Sequence, residues 1–322
     1  MKYYLLLFII LFFTLISCEK EPEIPTGQGN KIELAVSTDN LTRIDVTAIA
    51  TGSIQNLGYM GEVVQHGHCW GITPQPDITY FRTQLGYKNT KGEFTSTLTG
   101  LDLNTTYYVR AYIANETHVA YGEQKVITAV CGGETEIAYE GQTYKILPMG
   151  NQCWMGRNLN VGDMINTTVT PYPHSDASND GTIQKYCYED SINNCNTYGG
   201  LYDWNEMMMY TQTEGTKGIC PNGWHIPSDE EWEKLVNYLG GNYTAGIALK
   251  GTASNQFAAV LKGYRLSNGT FVEKNLGTRF WTSSMNYDGL PFYRYLNSSY
   301  DGVINKNYNT SGAFHVRCIK ND

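Results

Sequence analysis

Hydrophobic and polar positions divide the chain into stretches of different texture. From Tyr3 to Ile16 every residue but Thr14 is apolar or aromatic, with Lys2 ahead of the run and Glu19, Lys20 and Glu21 just behind it. The run is shorter than the ~20 apolar residues of a membrane-spanning helix, so it reads as an export signal that is cleaved rather than retained. Glu19 to Asn30 holds almost nothing apolar and carries Pro22, Pro25, Gly27 and Gly29, the make-up of a flexible spacer. Short alternating runs follow at Lys31–Ser37, Arg43–Ile54, Val63–Ile72, Thr79–Leu85, Glu93–Leu101, Thr106–Glu116 and Val119–Val130. Short strands at this spacing predict a β-sandwich.

One stretch sharpens the prediction. Leu101, Leu103, Thr105 and Tyr107 have the spacing of a tyrosine corner, and Val109, Ala111 and Ile113 continue on the same strand face as Tyr107. After Gly132 and Gly133 the pattern changes. A hairpin is expected to turn at Glu140 and Gly141, with a strand carrying Trp154 beyond it. From Asp229 to Leu239, Trp232, Leu235, Val236 and Leu239 recur at helical spacing; Ser228 and Glu231 form a capping box, and Gly240 and Gly241 supply the stop. Shorter helices are expected at Leu201–Tyr210 and Thr244–Lys250.

Composition narrows the class. Charged residues make up 17% of the chain, below the ~25% usual in soluble proteins, while 25 tyrosines and 33 glycines favour loop-rich β structure. The net charge is −8 with no basic stripe, which excludes nucleic acid as a partner, because phosphate neutralisation needs clustered Lys and Arg. Eight cysteines behind an export signal point to an oxidising compartment.

Leu15, Ile16, Ser17 and Cys18 resemble the bacterial lipobox, in which the cysteine is diacylated and becomes the mature N-terminus. The resemblance implies a signal peptide at 1–17, lipidation of Cys18, a tether at 18–30 and a membrane partner bound through more than one acyl chain, hence stably. The acidic residues after Cys18 look like the surface-export signals of Bacteroidota lipoproteins, which implies the outer membrane of a Gram-negative bacterium and display at the cell surface. HGHCWGITPQP (His66 to Pro76) and LTGLDLNTTYYVRAYIAN (Leu98 to Asn115) resemble fibronectin type III-like modules, implying an immunoglobulin-like sandwich over residues 31–130. NQCWMGRNLNVGD, KYCYEDSINNCNTYGGLYDWNEMM, GICPNGWHIPSDEEWEKLVNYLGG, KGYRLSNGTF, FWTSS and FHVRCI, in that order within residues 131–322, resemble the Fibrobacter succinogenes major paralogous domain. That family implies a secreted, often lipid-anchored module of largely undefined activity. Its tail is also similar to the end of a C-type lectin-like fold, so the expected class is mainly β with an α+β C-terminal domain. The same likeness implies disulfides Cys220–Cys318 and Cys187–Cys195. Cys131 and Cys153 remain, and whether they pair across the hairpin stays open.

Candidate chemistry is sparse. The EPN-, QPD- and WND-type triplets of calcium-dependent sugar-binding lectins are missing. Asp176, Ser178 and Asp180 before Gly181 resemble the start of an EF-hand loop, but Cys187 stands where the bidentate Glu belongs, so a solvated turn is expected. His66 and His68 lie two apart on a strand, which suits a metal, yet no third ligand is near and an ordinary sandwich wall is expected. Cys69 and Trp70 read as core. His174, His225 and His315 have no motif partner; His225, inside GWHIPS, is expected to be a hydrogen-bonded core residue. The lectin-like fold also occurs in formylglycine-generating enzymes, but their cysteine pair is not recognisable, so no catalytic residue, cofactor or metal is assigned. Tyr287, Phe292, Tyr293, Tyr295, Tyr300 and Tyr308 crowd the end of the chain. Alternation turns Tyr293 and Tyr295 inward, and the others are candidates to stack on a glycan. The expectation is a non-catalytic cell-surface lipoprotein displaying a recognition or adhesion domain for glycan or protein ligands. The alternative is a structural envelope component that assembles with other surface proteins.

Overall fold

The computed structural model describes residues 33–58, 63–166, 179–251 and 256–321. The lipobox with Cys18, the tether, His174, Asp176 and Ser178 lie outside the described residues. The chain is mainly β. Its first eight strands are β1 (Leu34–Ile44), β2 (Thr47–Leu57), β3 (Gln65–Gly71), β4 (Phe81–Arg82), β5 (Gly92–Leu98), β6 (Tyr107–Ala114), β7 (Val119–Tyr121) and β8 (Lys125–Ile127). They form two sheets, one ordered β1-β2-β5 and the other β4-β3-β6-β7, with β8 also pairing with β6. Alternation drives the packing: Ala48, Ala50 and Ile54 of one sheet and Tyr107, Val109, Ala111 and Ile113 of the other are buried. Cys69 and Trp70 are buried on opposite sides of β3, where Phe81 covers Trp70 with ring centroids 6.0 Å apart. The Tyr107 hydroxyl accepts from the Asp102 amide at 3.1 Å, the bond that defines a tyrosine corner.

Two strand boundaries differ from the sequence reading. Polar residues at Thr38–Thr42 suggested a turn, yet β1 runs through them and absorbs the misfit as a bulge between Thr38 and Asn40. Asp39 is satisfied there by the hydroxyls of Ser37 and Ser53, at 2.6 and 2.5 Å. The reversal comes later, at Asp45 and Val46, where Asp45 takes φ 55°. The long strand expected at Val119–Val130 is broken into β7 and β8.

The rest of the chain adds β9 (Glu136–Tyr139), β10 (Gln142–Met149), β11 (Gln152–Met155), β12 (Asp163–Ile165), β13 (Gln184–Tyr186), β14 (Tyr202–Asp203), β15 (Trp224–His225), β16 (Lys262–Arg265), β17 (Phe271–Lys274), β18 (Gly277–Met285), β19 (Pro291–Asn297), β20 (Tyr300–Asn307), β21 (Ala313–Phe314) and β22 (Ile319–Lys320). Helices are α1 (Ile192–Tyr198), α2 (Trp204–Met207), α3 (Asp229–Tyr238) and α4 (Ala245–Lys250). The sheets run β15-β22-β11-β10-β9, β14-β21-β16-β17 and β18-β19-β20, with β12 and β13 as a parallel pair. Glu140 (φ 45°) and Gly141 (φ 70°) make the expected tight turn between β9 and β10. The capping box of α3 is complete, with the Ser228 hydroxyl accepting from the Glu231 amide and the Glu231 carboxylate accepting from the Ser228 amide. Trp232, Leu235 and Val236 bury the inner face of α3 against Trp154, Phe257 and Phe280. The helix expected at Leu201–Tyr210 shrinks to the single turn of α2, because Met209 and Tyr210 leave it with positive φ.

The apolar cores do not mix: two clusters draw only on residues before 128, three only on residues after 129. Disulfides join Cys187 to Cys195, Cys220 to Cys318 and Cys131 to Cys153. The pairing that the sequence left open is therefore made. Among the described residues Cys69 is the free cysteine, and burial pushes its thiol up to about 12, so it stays protonated and inert.

Removing the Tyr107 hydroxyl tests the corner. Tyr107→Phe should lower unfolding free energy by about 1 kcal/mol, read as a lower urea midpoint at unchanged slope; an unchanged midpoint would show that the bond does not hold the β5–β6 connection.

Candidate functional site

The aromatic residues near the end of the chain converge on an arginine. Arg279 and Trp281 of β18 lie opposite Tyr295 and Tyr293 of β19, so all four share one face of that sheet. Tyr264 of β16, Phe314 of β21 and Tyr308 in the loop after β20 close over the same face. The Arg279 guanidinium carbon lies 3.8 Å from the ring centre of Tyr264, 4.6 Å from Tyr293, 5.1 Å from Phe314, 5.4 Å from Tyr308 and 5.6 Å from Tyr295. Among the described residues no carboxylate pairs with it directly, and the ring faces supply compensating negative potential.

A hydrogen-bonded chain runs out from this cage. Arg279 Nη2 donates to the Tyr264 hydroxyl at 2.8 Å, Tyr264 donates to Glu273 Oε1 at 2.8 Å, and Tyr295 donates to Glu273 Oε2 at 2.6 Å. Burial, reinforced by the bond to Glu273, raises the Tyr264 hydroxyl well above its ordinary range and Tyr295 to about 12, so both are donors at neutral pH. Glu273 takes φ 61°, a costly conformation for a side-chain-bearing residue, and Gly277 leaves it room: a Cβ there would meet Glu273 Oε2 at 2.1 Å. Tyr264, Tyr293 and Phe314 are buried, whereas Tyr295, Tyr308, Leu266, Ser267, Arg279 and Glu273 stay part-exposed. The rim therefore offers two ring surfaces, an apolar edge and hydroxyl and carboxylate groups.

The sequence singled out Tyr293, Tyr295 and Tyr308, and the structure brings them together. Tyr293 faces the core as alternation requires, and Tyr295 is only half-buried. Tyr287 stands fully exposed, while Phe292 and Tyr300 lie outside the cage. Arg279, Tyr264, Glu273 and Phe314 were missed. Tyr264 lies in KGYRLSNGTF and Phe314 in FHVRCI, whereas Glu273 and Arg279 fall between the motifs, and residues up to 50 positions apart meet only through the β16–β17, β16–β21 and β18–β19 pairings.

Other candidates resolve differently. His66 and His68 do share a side, both against Phe94 with ring centroids 5.0 and 5.1 Å away. Their Nδ1 atoms face Gly86 O and Ser96 Oγ, each at 2.8 Å, and burial lowers His68 to about 4. Among the described residues no group of three or more His, Cys, Asp or Glu could hold a metal. Asp180 accepts from the amide and hydroxyl of Thr182. His315 is buried, contacts Gly200 O at 3.0 Å and is lowered by burial to about 4. His225 is not the core residue expected. It lies part-exposed at the start of α3, with Nε2 2.9 Å from Glu231 and Nδ1 2.7 Å from Asn321. A cleft of about 700 Å³ lies between the sandwich and the C-terminal sheets. Several of its polar groups are engaged: Lys145 stands opposite Glu136 in the β9–β10 ladder, Asp102 Oδ1 accepts from Asn104 and Thr105, and Tyr238 donates to Asp45, whereas Asn104 Oδ1 is buried without a hydrogen-bond partner.

The family comparison bears on the half of the chain that carries the arginine cage. Residues 147–320 match the Fibrobacter succinogenes major domain. The chain belongs to this family. Membership fits a surface-associated protein and names no ligand. Two solved structures of the sensor domain of the anti-sigma factor RsgI4 from Pseudobacteroides cellulosolvens overlap the chain at 11% and 14% identity with TM-scores of 0.23 and 0.24. They cover 29% and 30% of this chain and 91% and 74% of their own, a likeness too slight to bear on fold or function. No curated protein matches the chain. Among the described residues no helix is long and apolar enough to cross a membrane.

The His225–Glu231 contact has a pH signature. Burial opposes the charge of Glu231, but bonds from His225 and Ser228 outweigh it and hold the carboxyl below its ordinary 4.5. A depressed carboxylate adds stability that is complete above that value and is lost as pH falls through the lower folded value. The thermal midpoint should therefore drop as pH falls below 4.5, and Glu231→Gln should flatten that acid limb; an equally steep limb in the variant would refute the assignment.

Proposed function

We propose that this chain is a non-catalytic lipoprotein, anchored through Cys18 in the outer membrane of a Gram-negative bacterium, that displays a recognition domain for glycan or protein ligands. In this reading the fibronectin type III-like sandwich is the stalk and the C-type lectin-like C-terminal domain is the recognising end. The supporting observation is the part-exposed rim of the arginine cage. Tyr295 and Tyr308 offer ring surfaces on which sugar C–H faces or apolar side chains stack, and Glu273 and Ser267 are placed to bond hydroxyls or amides. The rim's two charges, Arg279 and Glu273, are of opposite sign and linked through the Tyr264 hydroxyl, which favours a neutral, hydroxyl-rich ligand, and glycan is the first choice.

Arrays of glycans and of surface proteins probed with the full chain test the reading. Tyr295→Ala and Tyr308→Ala should each weaken capture by up to about tenfold, the worth of one stacking contact, when measured well below the thermal midpoint of each variant. Uniform absence of binding, or binding indifferent to both substitutions, counts against it.

A second reading, a structural envelope component, is favoured by a different observation. Tyr80, Phe81, Leu85 and Tyr87 are exposed beside β4, the edge of its sheet, where another chain can pair. Crosslinking on intact cells separates the two: a fixed protein neighbour attached near β4 supports assembly.

A further inference from the structure

We infer that the sandwich and the C-terminal sheets are held at one angle by a joint without slack, locked by the Cys131–Cys153 disulfide. The last main-chain bond into the sandwich is Val130 N to Leu103 O, at 2.7 Å. The next residue, Cys131, is buried in the other core and bonded covalently to Cys153 on β11. A single peptide link thus separates attachment to one body from attachment to the other, and no free linker exists between them.

The chain beyond the lock is also tied back on both sides. Asn104 Nδ2 donates to Glu134 O at 2.9 Å, which returns the connection to the sandwich. Lys320 Nζ pairs with Glu134 at 2.8 Å and reaches Cys131 O at 3.4 Å, which binds it to the C-terminal sheet. Ile146 N donates to Thr135 O at 2.8 Å, where sheet pairing begins. Across the cleft Tyr238 donates to Asp45 at 3.2 Å. Remove the disulfide, and the segment from Val130 to Thr135 keeps the polar ties just named, the short-range turn bonds Gly132 N to Ala129 O and Glu134 N to Cys131 O, and the packing of Val130 on the C-terminal core, but no covalent tie to β11, with Gly132 (φ 66°) and Gly133 (φ 80°) at its centre. Two adjacent glycines are the sequence of a hinge. The disulfide therefore turns a hinge sequence into a fixed elbow. This inference concerns geometry and stands whether or not the aromatic rim binds a ligand.

The test is a distance distribution by pulsed dipolar spectroscopy on the full chain in detergent, with genetically encoded, cysteine-independent spin labels at the exposed positions Glu93 and Lys234. The parent should give one narrow distribution. Cys131→Ser with Cys153→Ser should broaden it about twofold, as a five-residue flexible segment allows, whereas Cys187→Ser with Cys195→Ser should leave it narrow. Insertion of Gly-Ser-Gly between Val130 and Cys131 keeps all three disulfides and should broaden it equally, which decides the matter if the serine pair fails to fold. A broad parent distribution, or an insertion variant as narrow as the parent, overturns the inference.

Discussion

A buried charge without a counter-charge organises the C-terminal half of this protein. Arg317 is fully enclosed, and among the described residues no carboxylate meets it. Its guanidinium donates instead to Asn158 Oδ1 at 2.8 Å, Met155 O at 3.0 Å and Phe257 O at 2.7 Å, and stacks 4.1 Å from the Phe257 ring centre. Burial lowers it to about 9, which leaves it charged at neutral pH. Those partners belong to the end of β11 with the loop after it and to the segment before β16, so one side chain pins two pieces of chain that are distant from it and from each other in sequence. A planar fork of five donors suits that task, because it satisfies several fixed carbonyls at once. Cys318, the next residue, is bonded to Cys220 on the loop before α3, and the same short strand end thus carries both the polar and the covalent tie.

Arginine recurs in this role with different partners. Arg294 is equally buried but meets Asp229 at 2.8 Å and Glu233 at 3.3 Å, which fastens β19 to the first turns of α3. Arg265 lies 4.1 Å from the ring centre of Tyr186, and Arg279 is boxed by five rings. A protein poor in charged residues has placed several of them inside, where aromatic faces, carbonyls and acids each compensate a cation in turn. The part-exposed rim of the arginine cage is the outermost of these arrangements. Its rings are oriented by a cation that is itself screened, so shape rather than net charge is what reaches the solvent.

Rigidity is the common consequence. The arginine cage fixes the rim on the strands β16 to β19, and the disulfide joint fixes those strands relative to the sandwich. Held this way, the rim keeps a set aspect relative to the sandwich, and its side chains have little conformational freedom left to lose.

Much of this architecture was legible in the residues. Alternation placed most of the sandwich strands, Leu101 to Tyr107 announced the tyrosine corner, Ser228 and Glu231 marked the start of α3, and the motif series identified the family. Those features are local, since period, capping and turn chemistry act over a few residues. The β1–β2 turn was misplaced because a bulge can carry polar residues through a strand once Ser37 and Ser53 satisfy Asp39, and that depends on the neighbouring strand. Tyr264, Glu273, Arg279 and Phe314 were invisible as a group for the same reason: strand pairing, not spacing, brings them together. Cysteine count and compartment made disulfides expected, but only the fold put Cys131 beside Cys153, because pairing needs proximity in space. The sequence alone determined most of the sandwich strands, the main helix α3 and the family they belong to; the remaining strand boundaries, the cage, the lock and the angle between the two bodies were decided by long-range packing, which no local pattern encodes.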